Sequence, residues 1–123
     1  MTNTYPTTPP VSHRFVTVQI EDISTAGQKY VVPGFKGKIK NAHSVINGAI
    51  ATADADLTLK IGGTAVTGGV ITVAQSGSAA GDVDSATPSA AHTFTQSQAI
   101  EIETDGASTN TVEAVVTLEL EAT

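Results

Sequence analysis

The chain has 123 residues, the length of one domain, with a net charge of −6 and no cysteine. The lack of cysteine excludes disulfides, thiolate metal sites and a cysteine nucleophile. No apolar run reaches the roughly 18 residues of a membrane helix, and no charged segment followed by an apolar one marks a signal peptide, so we expect no membrane association.

The composition favours strands around a thin core. Ala, Thr, Val, Ile and Gly dominate, while only two Tyr, three Phe and no Trp are present. Branched aliphatic side chains suit a pleated surface, but they fill little volume. We therefore expect an oligomer that buries further apolar area between subunits.

Charge is distributed unevenly along the chain. Residues 1–60 hold all six basic side chains and four acids, whereas residues 61–123 hold eight acids and no base. The base-free second half argues against a nucleic-acid surface there. The asymmetry fits a solvated outer sheet face, and it could also orient copies head to tail or steer docking on a charged partner.

Residues 1–13, MTNTYPTTPPVSH, are predicted to form an extended N-terminal arm. Pro6, Pro9 and Pro10 exclude a helix and a central strand there. The segment is either a frayed terminus or an arm that lies on a neighbouring subunit with Tyr5 as its anchor.

Short alternating segments begin after this arm. In residues 14–21, Phe15, Thr17 and Gln19 are expected on one face, and Val16, Val18 and Ile20 on the other. Residues 28–32 form the next strand, and Pro33-Gly34 fits the centre of a type II turn.

The middle of the chain has the pattern of strands separated by glycine turns. Residues 38–46 form a longer strand that ends at Asn47-Gly48, a strong hairpin signal, so residues 49–51 are expected to continue past a turn. Residues 57–73 are predicted as strand, turn at Gly62-Gly63, short strand, turn at Gly68-Gly69, and strand.

The last third contains the longest predicted loop, residues 74–90, with one short strand near Val83. Strands at 91–95, 98–103 and 112–121 follow, with a turn at Asp105-Gly106. In the last strand, apolar side chains at 112, 114, 116, 118 and 120 share one face.

Eight to ten short strands at this spacing predict an all-β chain with one β-sandwich domain over residues 14–123 and an extended arm over residues 1–13. No catalytic template fits. The G-x-S-x-G and P-loop patterns are absent, and Gly34-Phe35-Lys36-Gly37 lies between strands rather than helices, so it predicts a plain turn.

Ionisable side chains also predict no active site. His13, His43 and His92 have no close ligand partner in the sequence, and the acid pairs Asp54/Asp56 and Asp82/Asp84 lack the spacing of a helix–loop–helix calcium site. A calcium site of another loop type stays open. We predict a protein that is not an enzyme and uses no cofactor, metal or small-molecule substrate.

Lys36, Lys38 and Lys40 form a small basic cluster. Lys38 and Lys40 alternate, so both are expected on one solvated strand face. The alternative, functional interpretation is that the cluster contacts an acidic surface of a partner protein.

The sequence over residues 31–90 resembles small virion proteins of tailed bacteriophages. The likeness rests on the PGFKGK turn before a long strand, the TADAD step, the GGTAVTGGVITV hairpin and the SGSAAGDV loop, with EIETDGAST further on. The family that this resemblance implies is that of the capsid cement or decoration proteins.

The resemblance implies a jelly-roll-like sandwich that assembles as a homotrimer and binds the major capsid protein on the outside of the phage head. The protein would be made in the host cytoplasm and would stabilise the shell by bridging its subunits. The residues expected to contact the partner are Tyr5, Pro6, Pro9, Pro10, Lys36, Lys38 and Lys40. The alternative is a receptor- or glycan-binding module of a tail fibre or surface appendage.

Overall fold

A computed structural model describes residues 13–123, and in this range the chain forms nine strands and no helix. Accordingly, no helix in the described range could span a membrane. The strands are β1 (His13–Ile20), β2 (Gly27–Val31), β3 (Gly37–Ile46), β4 (Ala55–Ile61), β5 (Thr64–Val73), β6 (Val83–Ala86), β7 (Thr93–Phe94), β8 (Ile100–Thr104) and β9 (Ala114–Ala122).

Two antiparallel sheets make up the domain, which confirms the predicted β-sandwich. Sheet A has the order β1-β9-β3-β6, with the short β7 also paired to β3, and sheet B has the order β2-β8-β4-β5. The pairing is nested along the chain, because β1 pairs with β9, β2 with β8, β3 with β6, and β4 with β5. Most successive strands therefore lie in opposite sheets.

The core lies between the two sheets and consists almost entirely of aliphatic side chains. These side chains come from strands in which buried and partly exposed residues alternate. Every second residue is buried throughout β4, and the same holds for β9 from Ala114 to Leu120. The predicted faces of β1 and of the last strand are confirmed, since Val18 and Ile20 are buried whereas Phe15 is 66% exposed. The largest fully buried side chains are Ile23, Ile39, Ile46, Leu57, Leu59, Ile71, Ile100, Ile102, Leu118 and Leu120.

The predicted hairpin at Asn47-Gly48 is wrong. These residues do end β3, but β3 pairs with β9, β6 and β7 in sheet A, whereas the next strand, β4, belongs to sheet B. The inner face of β3 has to be covered by a second sheet, so the chain crosses the sandwich here instead of turning back. Of residues 49–51, only Ala51 pairs, in an isolated bridge to Thr109.

Of the two predicted glycine turns in residues 57–73, the first is confirmed and the second is wrong. Gly62 and Gly63 join β4 to β5 with φ values of 58° and 83°, as a tight hairpin turn requires. Gly68 and Gly69 instead lie inside the continuous strand β5. The register shifts there by three residues, because Thr58 pairs with Val70 but Lys60 pairs with Ala65.

This large bulge in β5 of sheet B contacts the connection between β6 and β7 of sheet A. The amide of Thr67 donates to the carbonyl of Ala90 at 3.0 Å, and the amide of Ser89 donates to the carbonyl of Thr67 at 2.9 Å. Gly68 has a φ of 74°, and a Cβ added to it would lie 2.8 Å from the carbonyl oxygen of Thr87. Glycine is thus required at this position both by backbone conformation and by space.

We expect Gly68→Ala to destabilise the fold more than Gly77→Ala does. Gly77 has a similar φ of 73° but nothing within 4 Å of an added Cβ, so it reports the conformational cost alone. That cost is about 1–2 kcal/mol, and the contact with Thr87 should add about 1–3 kcal/mol in Gly68→Ala. Urea unfolding of both variants measures the difference, and equal losses would contradict the close approach.

Candidate functional site

A charged cluster lies on the outer face of sheet A, where β1 begins and β9 ends. Its members, which we call the arm-end cluster, are His13, Lys38, Lys40, Glu119 and Glu121. The His13 imidazole lies 3.2 Å from Glu119 through Nδ1 and 3.5 Å from Glu121 through Nε2. The ammonium groups of Lys38 and Lys40 lie 3.5 and 3.6 Å from the Glu121 carboxylate.

A β-bulge in β3 brings both lysines to one carboxylate. Ile39 pairs with Leu120 and Asn41 pairs with Glu119, so Lys40 is an extra residue with no partner of its own on β9. Lys40 and Asn41 therefore both lie towards the outer face, and the Asn41 amide donates to Glu119 at 2.6 Å. The predicted placement of Lys38 and Lys40 on one partly exposed face agrees with their exposed fractions of 36% and 39%.

Glu121 is the centre of the arm-end cluster electrostatically as well as geometrically. Partial burial raises the pKa of its carboxyl, but the positive charges of Lys38 and Lys40 outweigh that effect and hold the pKa below its ordinary value of 4.5. The ionised carboxylate thus neutralises part of the lysine charge at neutral pH.

The loops at the two ends of the sandwich differ sharply in charge. The strands alternate in direction, so the connections 21–26, 47–54, 74–82 and 105–113 all lie at one end, which we call the acidic end. These four connections hold six acids and no base: Glu21, Asp22, Asp54, Asp82, Asp105 and Glu113.

The opposite end, which we call the basic end, has connections without any acid. They cover residues 32–36, 62–63, 87–92 and 95–99. β1 begins at this end and β9 finishes there, so the arm-end cluster, Arg14 and Lys36 lie with these loops. Four of the six Lys and Arg side chains of the chain are therefore gathered here.

Lys36 lies beside an aromatic contact at the basic end. Its side chain is exposed, and its carbonyl accepts a hydrogen bond from the amide of Thr123 at 3.0 Å. The Arg14 guanidinium stacks 4.7 Å above the ring of Phe35, which meets buried Phe94 edge-on at 5.6 Å. These contacts hold the start of β1 and the 32–36 loop together.

The other predicted contact residues, Tyr5, Pro6, Pro9 and Pro10, lie outside the described residues. His13, the last residue of the predicted arm, is the first residue of β1 and pairs with Glu121. The rest of that arm likewise lies outside the described residues, so its boundary with the sandwich stays a prediction.

A cavity of about 250 Å³ opens near the acidic end, between the β1–β2 connection and β8. Its lining includes Ile20, Ile102 and Thr104, and Glu21 and Lys29 form an ion pair of 2.9 Å at its rim. That hydrogen bond from Lys29 lowers the pKa of the Glu21 carboxyl. The Thr104 hydroxyl donates to the carbonyl of Thr25 at 2.6 Å, so its proton is already engaged within the protein.

The remaining ionisable side chains are dispersed. Within residues 13–123 no group of three His, Cys, Asp or Glu side chains is placed to hold a metal ion. The Asp82 carboxylate accepts a hydrogen bond of 2.9 Å from the backbone amide of Ala79, within the same loop. Burial and then the neighbouring charge of Asp82 raise the pKa of Asp84. His43 lies exposed on β3, as expected of a surface histidine.

No family model matches the chain, and no curated protein is significantly similar to it. The likeness to capsid decoration proteins, and the trimer that it implies, therefore stay predictions.

The sequence indicated four of the five residues of the arm-end cluster as solvated, in two separate strands. It pointed to Lys38 and Lys40, and the alternation of the last strand placed Glu119 and Glu121 on its solvated face. It did not indicate that these residues pair, because the β3–β9 register joins positions about 80 residues apart. His13 was missed as a partner of the two glutamates.

We expect Glu121→Gln to lower the thermal stability at low ionic strength and neutral pH, because Lys38 and Lys40 then face each other without a counter-charge. The folded-state pKa of Glu121 is depressed, so its contribution is present above 4.5 and is lost as the pH falls through the folded-state value. The variant should therefore differ from the wild type at pH 7 and converge with it in acid.

Thermal melts at both pH values and in about 1 M salt, where exposed charges are screened, measure this contribution. Glu119→Gln is the matched control, since His13 is its only ion-pair partner among the described residues. A Glu121→Gln melt identical to the wild type at every pH would refute the role of this carboxylate.

Proposed function

We propose that this protein is a capsid decoration protein that docks its basic end on the outside of a phage head and bridges shell subunits. One observation carries the proposal. Two of the lysines expected to touch a partner, Lys38 and Lys40, contact the same carboxylate, Glu121, as His13, the last residue of the predicted arm. The described end of the predicted arm and two of the predicted contact lysines thus lie at the same end of the domain.

The fold supports the same class of protein. We propose that the sandwich is a jelly roll, because nested antiparallel pairing of first with last strand is what rolling up one long hairpin produces. Jelly rolls are common in capsid proteins and also in lectins. The fold alone therefore does not choose between a shell partner and a glycan.

The side chains favour the shell partner. Glycan sites use adjacent exposed aromatic rings, but the strongly exposed aromatics of the described residues are Phe15 in sheet A and Tyr30 in sheet B. A domain with one basic end and one acidic end is oriented by electrostatic attraction when it binds a charged surface. The acidic end then faces solvent, where its excess charge keeps particles apart.

The role proposed is mechanical rather than catalytic. Each copy would contribute weak contacts between its basic end and acidic patches of the major capsid protein. Repetition over the symmetric shell would convert these contacts into strong retention through multivalency. Stabilisation of the shell would follow because each bound copy holds adjacent subunits together.

The experiment compares two charge-reversal variants in binding to phage heads that lack a decoration protein. The test variant is Lys36→Glu with Lys40→Glu, at the basic end. The control is Lys29→Glu with Lys60→Glu, on sheet B. Each pair of substitutions changes the net charge by −4, from −6 to −10, so a general charge effect is matched.

We expect the basic-end variant to bind at least about tenfold more weakly in co-sedimentation, and the control to bind nearly as the wild type does. Deletion of residues 1–12 should also weaken binding and the resistance of the heads to heat. Equal losses in both charge variants would remove the basic end as the docking surface. Failure of the wild type to bind heads, together with binding to host cells or glycans, would overturn the decoration function.

A further inference from the structure

The two sheets of the sandwich have four edges, and three of them carry features that block the addition of another strand. β2 is five residues long and carries Lys29. β5 is interrupted by the bulge at Gly68. The edge formed by β6 and β7 consists of pieces of four and two residues, with Pro88 in the connection between them. Short strands, lysine, proline and bulges are the usual means of protecting an edge.

The fourth edge, β1, has none of these features. It runs for eight residues in unbroken register with β9, from His13 opposite Glu121 to Ile20 opposite Ala114. It contains no lysine, no proline and no bulge, and Phe15 on it is 66% exposed. Among the described residues, β9 is the only strand that pairs with β1. A long, regular edge of this kind presents a row of backbone groups on which another strand can pair.

The charges along β1 indicate which strand fits. The strand begins with the basic pair His13-Arg14 and is followed directly by the acidic pair Glu21-Asp22. When such a segment pairs antiparallel with a copy of itself, the basic end of each copy meets the acidic end of the other. A parallel arrangement would place like charges together.

We propose that β1 is a self-association edge, which pairs antiparallel with β1 of a second copy around a two-fold axis at Thr17. In an antiparallel pair, residues that lie opposite each other point to the same face of the sheet. The two-fold axis must therefore lie between the two copies of one residue, which pairs with itself. Centring it on Thr17 overlaps residues 14–20 of both copies and places His13 of one copy opposite Glu21 of the other. Arg14 then lies diagonal to Asp22 of the second copy.

The contact would join the two A sheets into one continuous sheet. The backbone groups of β1 that point away from β9 would gain hydrogen-bond partners, and Phe15 would pack beside Thr17 and Gln19 of the second copy. The inference is independent of the proposed function, since it rests on the edge alone. An isologous contact is also compatible with the expected trimer, because the unit that pairs can be a monomer or a trimer.

A disulfide tests the axis directly, because the chain has no native cysteine. The two Thr17 Cα atoms should lie about 4.5–5.5 Å apart in the paired sheet, within the range that a disulfide spans. Mild oxidation of Thr17→Cys at low protein concentration should give a covalent dimer. Thr117→Cys is the matched control, since Thr117 lies opposite Thr17 on the same face of β9. Across the axis its copies would be about 14 Å apart, too far to link.

A second variant tests the association without a cross-link. Thr17 is exposed on an edge, so Thr17→Lys should fold, but it would place two ammonium groups opposite each other on the axis. We expect the solution mass by light scattering to fall by a factor of two or more relative to the wild type. Thr117→Lys, one strand further in, should leave the mass unchanged.

The proposal is overturned if Thr17→Cys dimerises no faster than Thr117→Cys, or if Thr17→Lys leaves the mass of the wild type unchanged. The second result is also the one expected if residues 1–12 or a strand of another protein cover the β1 edge. A monomeric wild type at about 100 μM would equally overturn the proposal, because an edge contact of this size must persist at such a concentration to be specific.

Discussion

The β3–β9 ladder is the interaction on which the rest of this structure depends. These strands are central in sheet A, and their pairing joins positions about 80 residues apart. The ladder supplies Ile39, Leu118 and Leu120 to the core, and it leaves β1 and β6 as the flanking strands. Because a ladder of such long range closes a very large loop, its formation also depends on the apolar area that both sheets bury together.

The bulge in this ladder decides which side chains of β3 face inwards. Up to Ile39 the odd-numbered residues are buried, whereas from Ala42 onwards the even-numbered ones are. Without the bulge at Lys40, the same alternation would direct Asn41 and His43 into the core. The shift therefore serves packing and the charged cluster together, since it keeps polar side chains outside and brings a second lysine to Glu121.

The segregation of charge between the two ends follows from the alternating strand direction. Apart from the two connections that flank the short β7, each connection lies at the end opposite to its neighbours along the chain, so alternate connections collect at one end. Acids in four separate connections thereby become one surface, although no two of those connections are adjacent in the sequence. The two ends of the domain therefore differ in charge, although the average charge of the chain gives no orientation.

The sequence by itself determined the class of fold, the approximate positions of the strands and their buried faces. Period-two alternation reports which residues avoid water, and it is a local property, so β1, β3 and β9 were predicted to within two residues at each end. The absence of cysteine and of the G-x-S-x-G and P-loop patterns was equally readable. Lys38 and Lys40 were identified as a solvated pair by the same alternation.

Only the tertiary structure decided which strands pair and where the chain crosses between sheets. Asn47-Gly48 and Gly68-Gly69 have the composition of turns, yet one precedes a crossover and the other forms a bulge within β5. Glycine and asparagine permit a positive φ without fixing the direction of the next segment, because the partner strand is chosen by burial across the whole sandwich. That choice has three consequences: Glu121 pairs with Lys38, Lys40 and His13, the acids collect at one end, and β1 lies at an edge of sheet A.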